Sequence, residues 1–258
     1  MEYNFISLLF LSLCFSCSIQ TDNEETYKST LLQIQAKDKN YEDITSDTII
    51  FAVKDYYSGK KDFPNAALAA FYCGRLLQEQ NNLEKATTAY LEAKKYADHI
   101  NDDNLKGLIQ GNLGILYYYQ FVTEKAIENG KEAAVLYHKA KNYKNEISSF
   151  LLVGNCFLLK NENDSAFYYY NKGLRLADYY KLQTEQVYIR QSIGVVYQRK
   201  GNYIKAKDFL HEAFAFSADS IEKARLLMNI ANVYNLENQI DSAKFYIEKS
   251  LAIQAKEP

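Results

Sequence analysis

Apolar positions recur at helical spacing along the chain, around small residues that return every 37 to 40 residues. Four glycines lie 40 residues apart and an alanine follows after another 37: Gly74, Gly114, Gly154, Gly194 and Ala231. An alanine stands twelve residues beyond each of them: Ala86, Ala126, Ala166, Ala206 and Ala243. Closely packed helices need small residues where their axes approach and large residues beside them. The pattern therefore predicts repeated helix pairs, with the glycine in the first helix and the alanine early in the second.

Polar clusters between the apolar segments mark turns, for example Gln80-Asn81-Asn82. A weaker version of the pattern predicts two helices before the first glycine, at 27–39 and 45–57. Ten further helices are predicted at 64–79, 83–97, 104–121, 123–140, 144–159, 164–179, 184–199, 203–216, 220–236 and 240–255. Asp164 and Asp241 each precede Ser-Ala, which is typical of a helix-capping residue.

The repeated pattern resembles the tetratricopeptide repeat, whose signature is Leu-Gly, a Tyr three residues later, and then an Ala. Two repeats carry it most clearly, with Leu113, Gly114, Tyr117 and Ala126, and with Ile193, Gly194, Tyr197 and Ala206. The period is 40 residues where the family has roughly 34, and the chain has no Trp. The resemblance implies an all-α fold: an α-solenoid of about six antiparallel helix pairs, wound as a right-handed superhelix.

An apolar stretch at residues 5–15 has the length of the central region of a signal peptide and is too short to span a bilayer. Ser16 and Cys17 follow it, and together they resemble a bacterial lipoprotein signal in which the cysteine becomes the acylated N-terminus. The alternatives are a secretory signal cut elsewhere and an ordinary hydrophobic N-terminus. The predicted organisation is a signal peptide at 1–17, a polar tether at 18–25 and a solenoid domain at 26–258.

The segment LLQIQAKDKNYEDITSDTII at residues 31–50 resembles a family of tetratricopeptide lipoproteins abundant in Bacteroidetes. The resemblance implies a lipid anchor at Cys17 and a place in the bacterial cell envelope, at the outer membrane, the periplasmic face or the cell surface. Many members of that family continue into membrane-spanning and signalling modules.

Charge and reactive residues narrow the range of functions. Thirty Lys plus Arg against 32 Asp plus Glu give a net charge of −2, which argues against nucleic acid as a partner. The three histidines fall in different repeats without a partner at metal-ligand spacing: His99, His138 and His211. Cys73 and Cys156 fall on inward helix positions and are interpreted as buried apolar residues. We therefore expect no catalytic residue, metal or cofactor, and the protein is interpreted as a non-enzyme.

In the family that the pattern resembles, the first helices line a concave groove. Counting from each small residue gives the positions that would face this groove; the candidates are Tyr72, Arg75, Asn112, Tyr118, Asn155, Gln198, Asn229 and Asn232, with Leu152, Leu158, Ser192, Val195 and Asn235 beside them. Amide and aromatic side chains suit the binding of a peptide backbone. The alternative for each position is a solvent-facing or packing role.

Three functions fit this pattern. The first is an envelope lipoprotein that binds a protein or peptide partner in its groove, as a scaffold or adaptor. The second is a sensory ectodomain whose output module is missing or lies on another chain. The third is a glycan- or nutrient-binding envelope protein, which the 23 tyrosines would permit.

Overall fold

A computed structural model describes residues 24–40, 42–44 and 48–255. Over these residues the chain forms twelve helices and no strand, as predicted. The helices are α1 (residues 24–39), α2 (Ile50–Gly59), α3 (Phe63–Glu79), α4 (Leu83–Ala97), α5 (Asp103–Tyr119), α6 (Thr123–Lys139), α7 (Tyr143–Leu159), α8 (Asn163–Tyr179), α9 (Gln183–Arg199), α10 (Tyr203–Phe216), α11 (Ser220–Leu236) and α12 (Ile240–Gln254).

The helices belong to two compact units, Met1–Leu105 and Lys106–Pro258. In the first unit, α3 packs against both α2 and α4. In the second unit, α5 lies against α6 at Gly114, and each helix from α6 to α12 packs against the next. Short loops join these helices, so neighbours in the chain pack as antiparallel pairs.

Three of the repeated glycines, Gly74, Gly154 and Gly194, lie where a large side chain of the paired helix crosses the backbone, whereas Gly114 lies against the backbone of α6. A Cβ atom built on Gly154 would come within 2.6 Å of Cδ1 of Tyr170, and one on Gly74 within 2.5 Å of Cε1 of Tyr90. Neither distance is compatible with a real Cβ atom. The alanines early in the second helices are fully buried at the same crossings, among them Ala166. The small residues therefore set how closely the two helices of a pair approach.

Most loops end the preceding helix with one residue in the left-handed region. Lys141, Asn161 and Lys181 have φ values of 56°, 60° and 53° in three successive loops of the second unit. The next backbone N–H then bonds to a carbonyl of the last helical turn, as from Asn142 to Tyr137 at 2.9 Å. The α10–α11 loop is different, since Ser217 and Asp219 are both extended, with ψ of 130° and 131°. This loop follows a helix of 14 residues, whereas α6 and α8 have 17 each.

The prediction that Asp164 and Asp241 cap their helices is wrong. The cap positions belong to Glu162 and Gln239, neither of which makes a side-chain cap hydrogen bond. Asp164 and Asp241 lie in the first turn instead. Their negative charge there faces the positive end of the helix dipole, which explains why the residue type suits the position without capping.

Cys73 and Cys156 are buried free thiols, in agreement with their interpretation as packing residues. Burial raises the pKa of the Cys73 thiol to about 12 and that of Cys156 to about 11. Both side chains are therefore protonated at neutral pH and act as small apolar groups.

The crossing of α7 and α8 predicts the effect of adding one methyl group. Gly154→Ala should lower the free energy of unfolding by about 1–3 kcal/mol, because the new Cβ overlaps the ring of Tyr170. Urea denaturation followed by tyrosine fluorescence measures the change. Gly59→Ala is the matched control: it also adds a methyl group to a helical glycine, but nothing lies within 4 Å of its Cβ. An equal loss in both variants would contradict the assigned crossing.

Candidate functional site

A pocket of about 260 Å³ lies in the second unit, with residues of α5, α6 and α7 around it. Amide and hydroxyl groups stand beside apolar side chains in its wall, which consists of Leu108, Gly111, Asn112, Ile115, Tyr137, Asn145, Ser148, Ser149 and Leu152. Asn112 is one of the groove candidates, and Leu152 is one of the residues predicted beside them. The structure therefore brings two predicted positions from neighbouring first helices to one pocket.

Two glycines outside the repeated pattern shape this pocket. Cβ atoms on Gly107 and Gly111 would lie 2.9 Å and 3.2 Å from atoms of Tyr137, so the tyrosine ring rests directly on the α5 backbone. Tyr137 is 4% exposed, and burial raises the pKa of its hydroxyl. The ring can enter because α5 presents no side chain at either position. The pocket thus depends on the spacing of these two glycines one helical turn apart.

The polar side chains of the pocket already make local hydrogen bonds. Asn112 Nδ2 donates to the carbonyl of Leu108 at 2.8 Å, and Ser149 Oγ donates to the carbonyl of Asn145 at 2.9 Å. Ser148 Oγ donates in the same way to Lys144 at 3.2 Å. These bonds fix the side-chain rotamers while the hydroxyl oxygens keep lone pairs that can accept.

Polar side chains of α5, α7 and α9 lie near the hydroxyl of Tyr170, which belongs to α8. This fully buried side chain donates a hydrogen bond of 2.6 Å to Oδ1 of Asn155. Burial raises the pKa of the Tyr170 hydroxyl and nearby Tyr118 adds to the rise, whereas Ser192 and the charge of Arg199 oppose it. The predicted position Asn155 therefore contacts a hydroxyl that the repeat pattern does not point to, and the predicted positions Tyr118 and Ser192 influence its electrostatics.

The adjoining predicted positions are partly buried. Tyr118 packs against the apolar cluster that includes Cys156, and Leu158 packs against the cluster around Ile147. Gln198 is half-buried near the end of α9. Arg199, which is not among the predicted positions, donates from Nη1 to the carbonyl of Leu158 at 2.7 Å and so joins α9 to α7. We give the name odd-helix face to the following residues of α5, α7 and α9: Asn112, Ile115, Tyr118, Asn145, Ser148, Ser149, Leu152, Asn155, Leu158, Ser192, Gln198 and Arg199.

The candidates in the first unit have structural partners. Tyr72 is 4% exposed and therefore lies within the packed core. The guanidinium of Arg75 binds Asp38 through Nε and Nη2 at 3.2 Å and 2.8 Å, and Glu79 at 3.1 Å. Asp38 belongs to α1, so the arginine ties α1 to α3. A local repeat pattern cannot reveal such a contact, because the two residues are 37 positions apart.

The candidates on α11 lie apart from the group around Tyr170. Asn229 is half-buried, and Asn232 and Asn235 are exposed on the first helix of the last pair. None of them takes part in the hydrogen bonds of Tyr170. Their role in binding stays a prediction.

The histidines and the other possible metal ligands are dispersed. His99 stacks on Phe63 at 4.4 Å between ring centroids, and Nδ1 of His138 lies 3.1 Å from Oε2 of Glu146. Burial lowers the pKa of His211. Within residues 24–40, 42–44 and 48–255 no group of three or more His, Cys, Asp or Glu side chains could hold a metal ion.

Cys17, the predicted lipidation site, lies outside the described residues. None of the helices described above combines the length and the apolar character needed to cross a membrane.

Sequence comparison identifies one repeat directly. A family model for the tetratricopeptide repeat matches residues 224–257, which include most of α11 and all of α12. No curated protein matches the chain significantly.

Comparison with solved structures shows a shared fold. The apo form of the quorum sensor NprR from B. thuringiensis superposes with a TM-score of 0.72 and 16% identity, over 96% of this chain and 73% of that one. The apo form of RapI gives 0.68 and 18%, over 74% and 70%. The Rap conjugation gene regulator of the plasmid pLS20, in complex with the Phr* peptide, gives 0.62 and 19%, over 77% and 56%.

The hydrogen bond between Tyr170 and Asn155 predicts a stability effect. Asn155→Ala should lower the free energy of unfolding by about 1–3 kcal/mol, because it leaves a buried hydroxyl without its acceptor. Asn232→Ala removes an exposed amide from the corresponding helix of the last pair and should change stability by less than about 0.5 kcal/mol. Thermal and urea unfolding of the two variants provide the comparison. Equal stability of the two variants would show that the hydrogen bond from Tyr170 to Asn155 contributes nothing measurable to the free energy of unfolding.

Proposed function

We propose that this protein is a non-enzymatic scaffold that binds an extended peptide, or an unstructured segment of a partner protein, along the odd-helix face. The observation that carries this proposal is the pocket between α5 and α7, where Asn112, Asn145 and Ser148 stand beside the apolar Ile115 and Leu152. Amide and hydroxyl groups recognise a peptide backbone, while the apolar wall accepts a side chain.

An extended peptide presents one N–H donor and one C=O acceptor at most residues. Asparagine can satisfy both, since its side chain carries a donor and an acceptor. Local hydrogen bonds hold Asn112 and Ser149 in place before any ligand arrives. A site that is ordered in advance loses less conformational entropy on binding, which favours affinity.

The comparisons support a peptide as the ligand class. The pLS20 Rap regulator has the same fold and was solved in complex with the Phr* peptide. The odd-helix face supplies the side chains that such a ligand would need in this protein. A sensory role is the second candidate, since one similar structure is a quorum sensor and another a conjugation gene regulator.

Peptide binding can be tested with ligands selected from a random heptapeptide library. Asn112→Ala should weaken the selected peptides about tenfold, which corresponds to roughly 1.4 kcal/mol. Asn129→Ala is the matched control, because Asn129 lies on α6 and makes the same intrahelical bond, from Nδ2 to the carbonyl four residues earlier, at 2.8 Å. Isothermal titration calorimetry measures both. Unchanged affinity in Asn112→Ala, or an equal loss in the control, would place the binding site elsewhere.

We further propose that the chain is anchored to a bacterial envelope membrane through an acylated Cys17. The support is the apolar stretch at residues 5–15, followed directly by Ser16 and Cys17. Metabolic labelling with an alkyne fatty acid should mark the wild-type protein and Cys14→Ser, and should fail to mark Cys17→Ser. Label retained in Cys17→Ser would rule out this anchor.

A further inference from the structure

Tyr137 reaches the pocket between α5 and α7 from α6. Its ring carbons Cδ1 and Cε1 lie 2.9 Å from the place of a Cβ atom on Gly107, which does not belong to the described pocket wall. Its hydroxyl oxygen lies 3.2 Å from the place of a Cβ atom on Gly111, which does belong to that wall. The ring is therefore packed on α5, and the hydroxyl is the end of the side chain that meets the pocket.

The proton of this hydroxyl has no acceptor among the residues that the structure describes. The Tyr137 side chain is 4% exposed, and burial raises the pKa of its hydroxyl without any contribution from a charged group. The buried tyrosines at two helix crossings differ, since Tyr90 donates to Gln78 at 3.0 Å and Tyr170 donates to Asn155 at 2.6 Å. A buried hydroxyl without an acceptor is costly, so its place at a pocket points to an acceptor on a ligand.

A second polar side chain of the wall, Asn145 on α7, is also available to a ligand. Its backbone N–H donates to Asn142 at 3.3 Å, but its side-chain amide makes no hydrogen bond within the described part of the chain. Ser149 Oγ, beside it, donates to the carbonyl of Asn145 at 2.9 Å and keeps lone pairs that can accept. The pocket therefore presents a hydroxyl donor from α6, and both donors and acceptors from α7.

The uncharged wall limits which ligand group fits. None of the nine residues that the structure places around this pocket carries a charge at neutral pH. A carboxylate would lose its hydration here without meeting a cation, and an ammonium group would lose it without meeting a carboxylate, and both losses are costly. A purely apolar group would leave the Tyr137 hydroxyl without an acceptor. The group that fits is therefore neutral and carries an acceptor.

A primary carboxamide satisfies the pocket better than a hydroxyl group does. Its carbonyl oxygen has two lone pairs, and its NH₂ group has two donors on the other side of the same plane. It can therefore accept from Tyr137 on α6 and donate to Asn145 or Ser149 on α7. A hydroxyl group has a single oxygen, which would have to lie within hydrogen-bond distance of both helices at once.

We infer that the pocket between α5 and α7 binds a carboxamide side chain, glutamine or asparagine, of the peptide that the odd-helix face takes, and that Tyr137 selects it. The inference rests on the proposed function for the peptide and on the pocket alone for the carboxamide. The Tyr137 O–H donates to the carboxamide oxygen, and the carboxamide NH₂ donates to Asn145 or Ser149. Leu108 and Leu152 contact the methylene groups.

Capped residues and their isosteres test the pocket without a peptide. N-acetyl-glutamine N-methylamide or its asparagine analogue should cause saturable NMR shifts of the backbone amides of Gly111, Ser148 and Leu152. Isosteres of the better probe should bind at least fivefold more weakly: homoleucine and glutamic acid for glutamine, leucine and aspartic acid for asparagine. Saturable shifts from neither carboxamide, or equal binding of the apolar isostere, would overturn the inference.

Tyr137→Phe removes the hydroxyl and keeps the ring on α5. It should weaken the better carboxamide probe at least fivefold, leave the apolar isostere unchanged, and not lower the urea midpoint, because the hydroxyl has no acceptor in the free protein. Tyr90→Phe is the matched control: it removes a buried hydroxyl that donates to Gln78, so it should lower the urea midpoint and leave probe binding unchanged.

Three results would contradict the role of Tyr137. The first is unchanged carboxamide binding in Tyr137→Phe, and the second is equal weakening of the probe in Tyr90→Phe. The third is a fall of the urea midpoint in Tyr137→Phe as large as in Tyr90→Phe, which would mean that the hydroxyl has a partner inside the protein.

The selected peptides separate failure of this inference from failure of the proposed function. They should be enriched in glutamine or asparagine at one position, and the apolar isostere at that position should weaken binding to the wild type but not to Tyr137→Phe. If Asn112→Ala weakens the peptides and no such position exists, the carboxamide pocket is wrong and the peptide face stands. If the capped carboxamides bind and no peptide does, the pocket stands and the proposed function fails.

Discussion

At three of the helix pairs, the contact between a glycine of one helix and a large side chain of its partner determines how the two helices pack. At the α7–α8 crossing, the ring of Tyr170 occupies the place that a Cβ atom on Gly154 would take. The same contact carries the tyrosine hydroxyl across the pair to Asn155 on α7. At the α9–α10 crossing the large residue is Leu210, which packs against Gly194 but has no hydroxyl group. The residue at the position of Tyr170 thus determines both how closely the two helices pack and whether a hydroxyl group reaches the odd-helix face.

Two pockets of the second unit lie where the chain departs from its own repeat. Gly107 and Gly111 are additional glycines, and they let Tyr137 rest on the α5 backbone beside the first pocket. The other pocket, of about 330 Å³, lies beside the α10–α11 loop, where α10 is a helical turn shorter than α6 or α8. A regular repeat optimises packing between neighbours, so cavities are expected where the regular pattern is interrupted. The pockets are consequently local features of the helical repeat.

Much of the fold could be predicted from the sequence, because helix packing leaves a periodic signal. Helix ends agree within three residues, except that α2 begins at Ile50 rather than at residue 45. The capping prediction failed at Asp164, since Asp is favoured both at the cap and in the first turn. The role of Arg75 could not be predicted, because its partner Asp38 is brought to it only by the tertiary fold. The hydroxyl of Tyr170 was missed because its position suggested packing alone.

Site-specific photocrosslinking tests the central claim most directly. Benzoylphenylalanine would replace Tyr118 on the odd-helix face or, as an aromatic control, Tyr168, which is 56% exposed on α8. A selected peptide should crosslink to position 118 and not to position 168, with crosslinking suppressed by excess unlabelled peptide. Crosslinking at position 168 alone, or equally at both, would contradict the assignment of the odd-helix face as the binding surface.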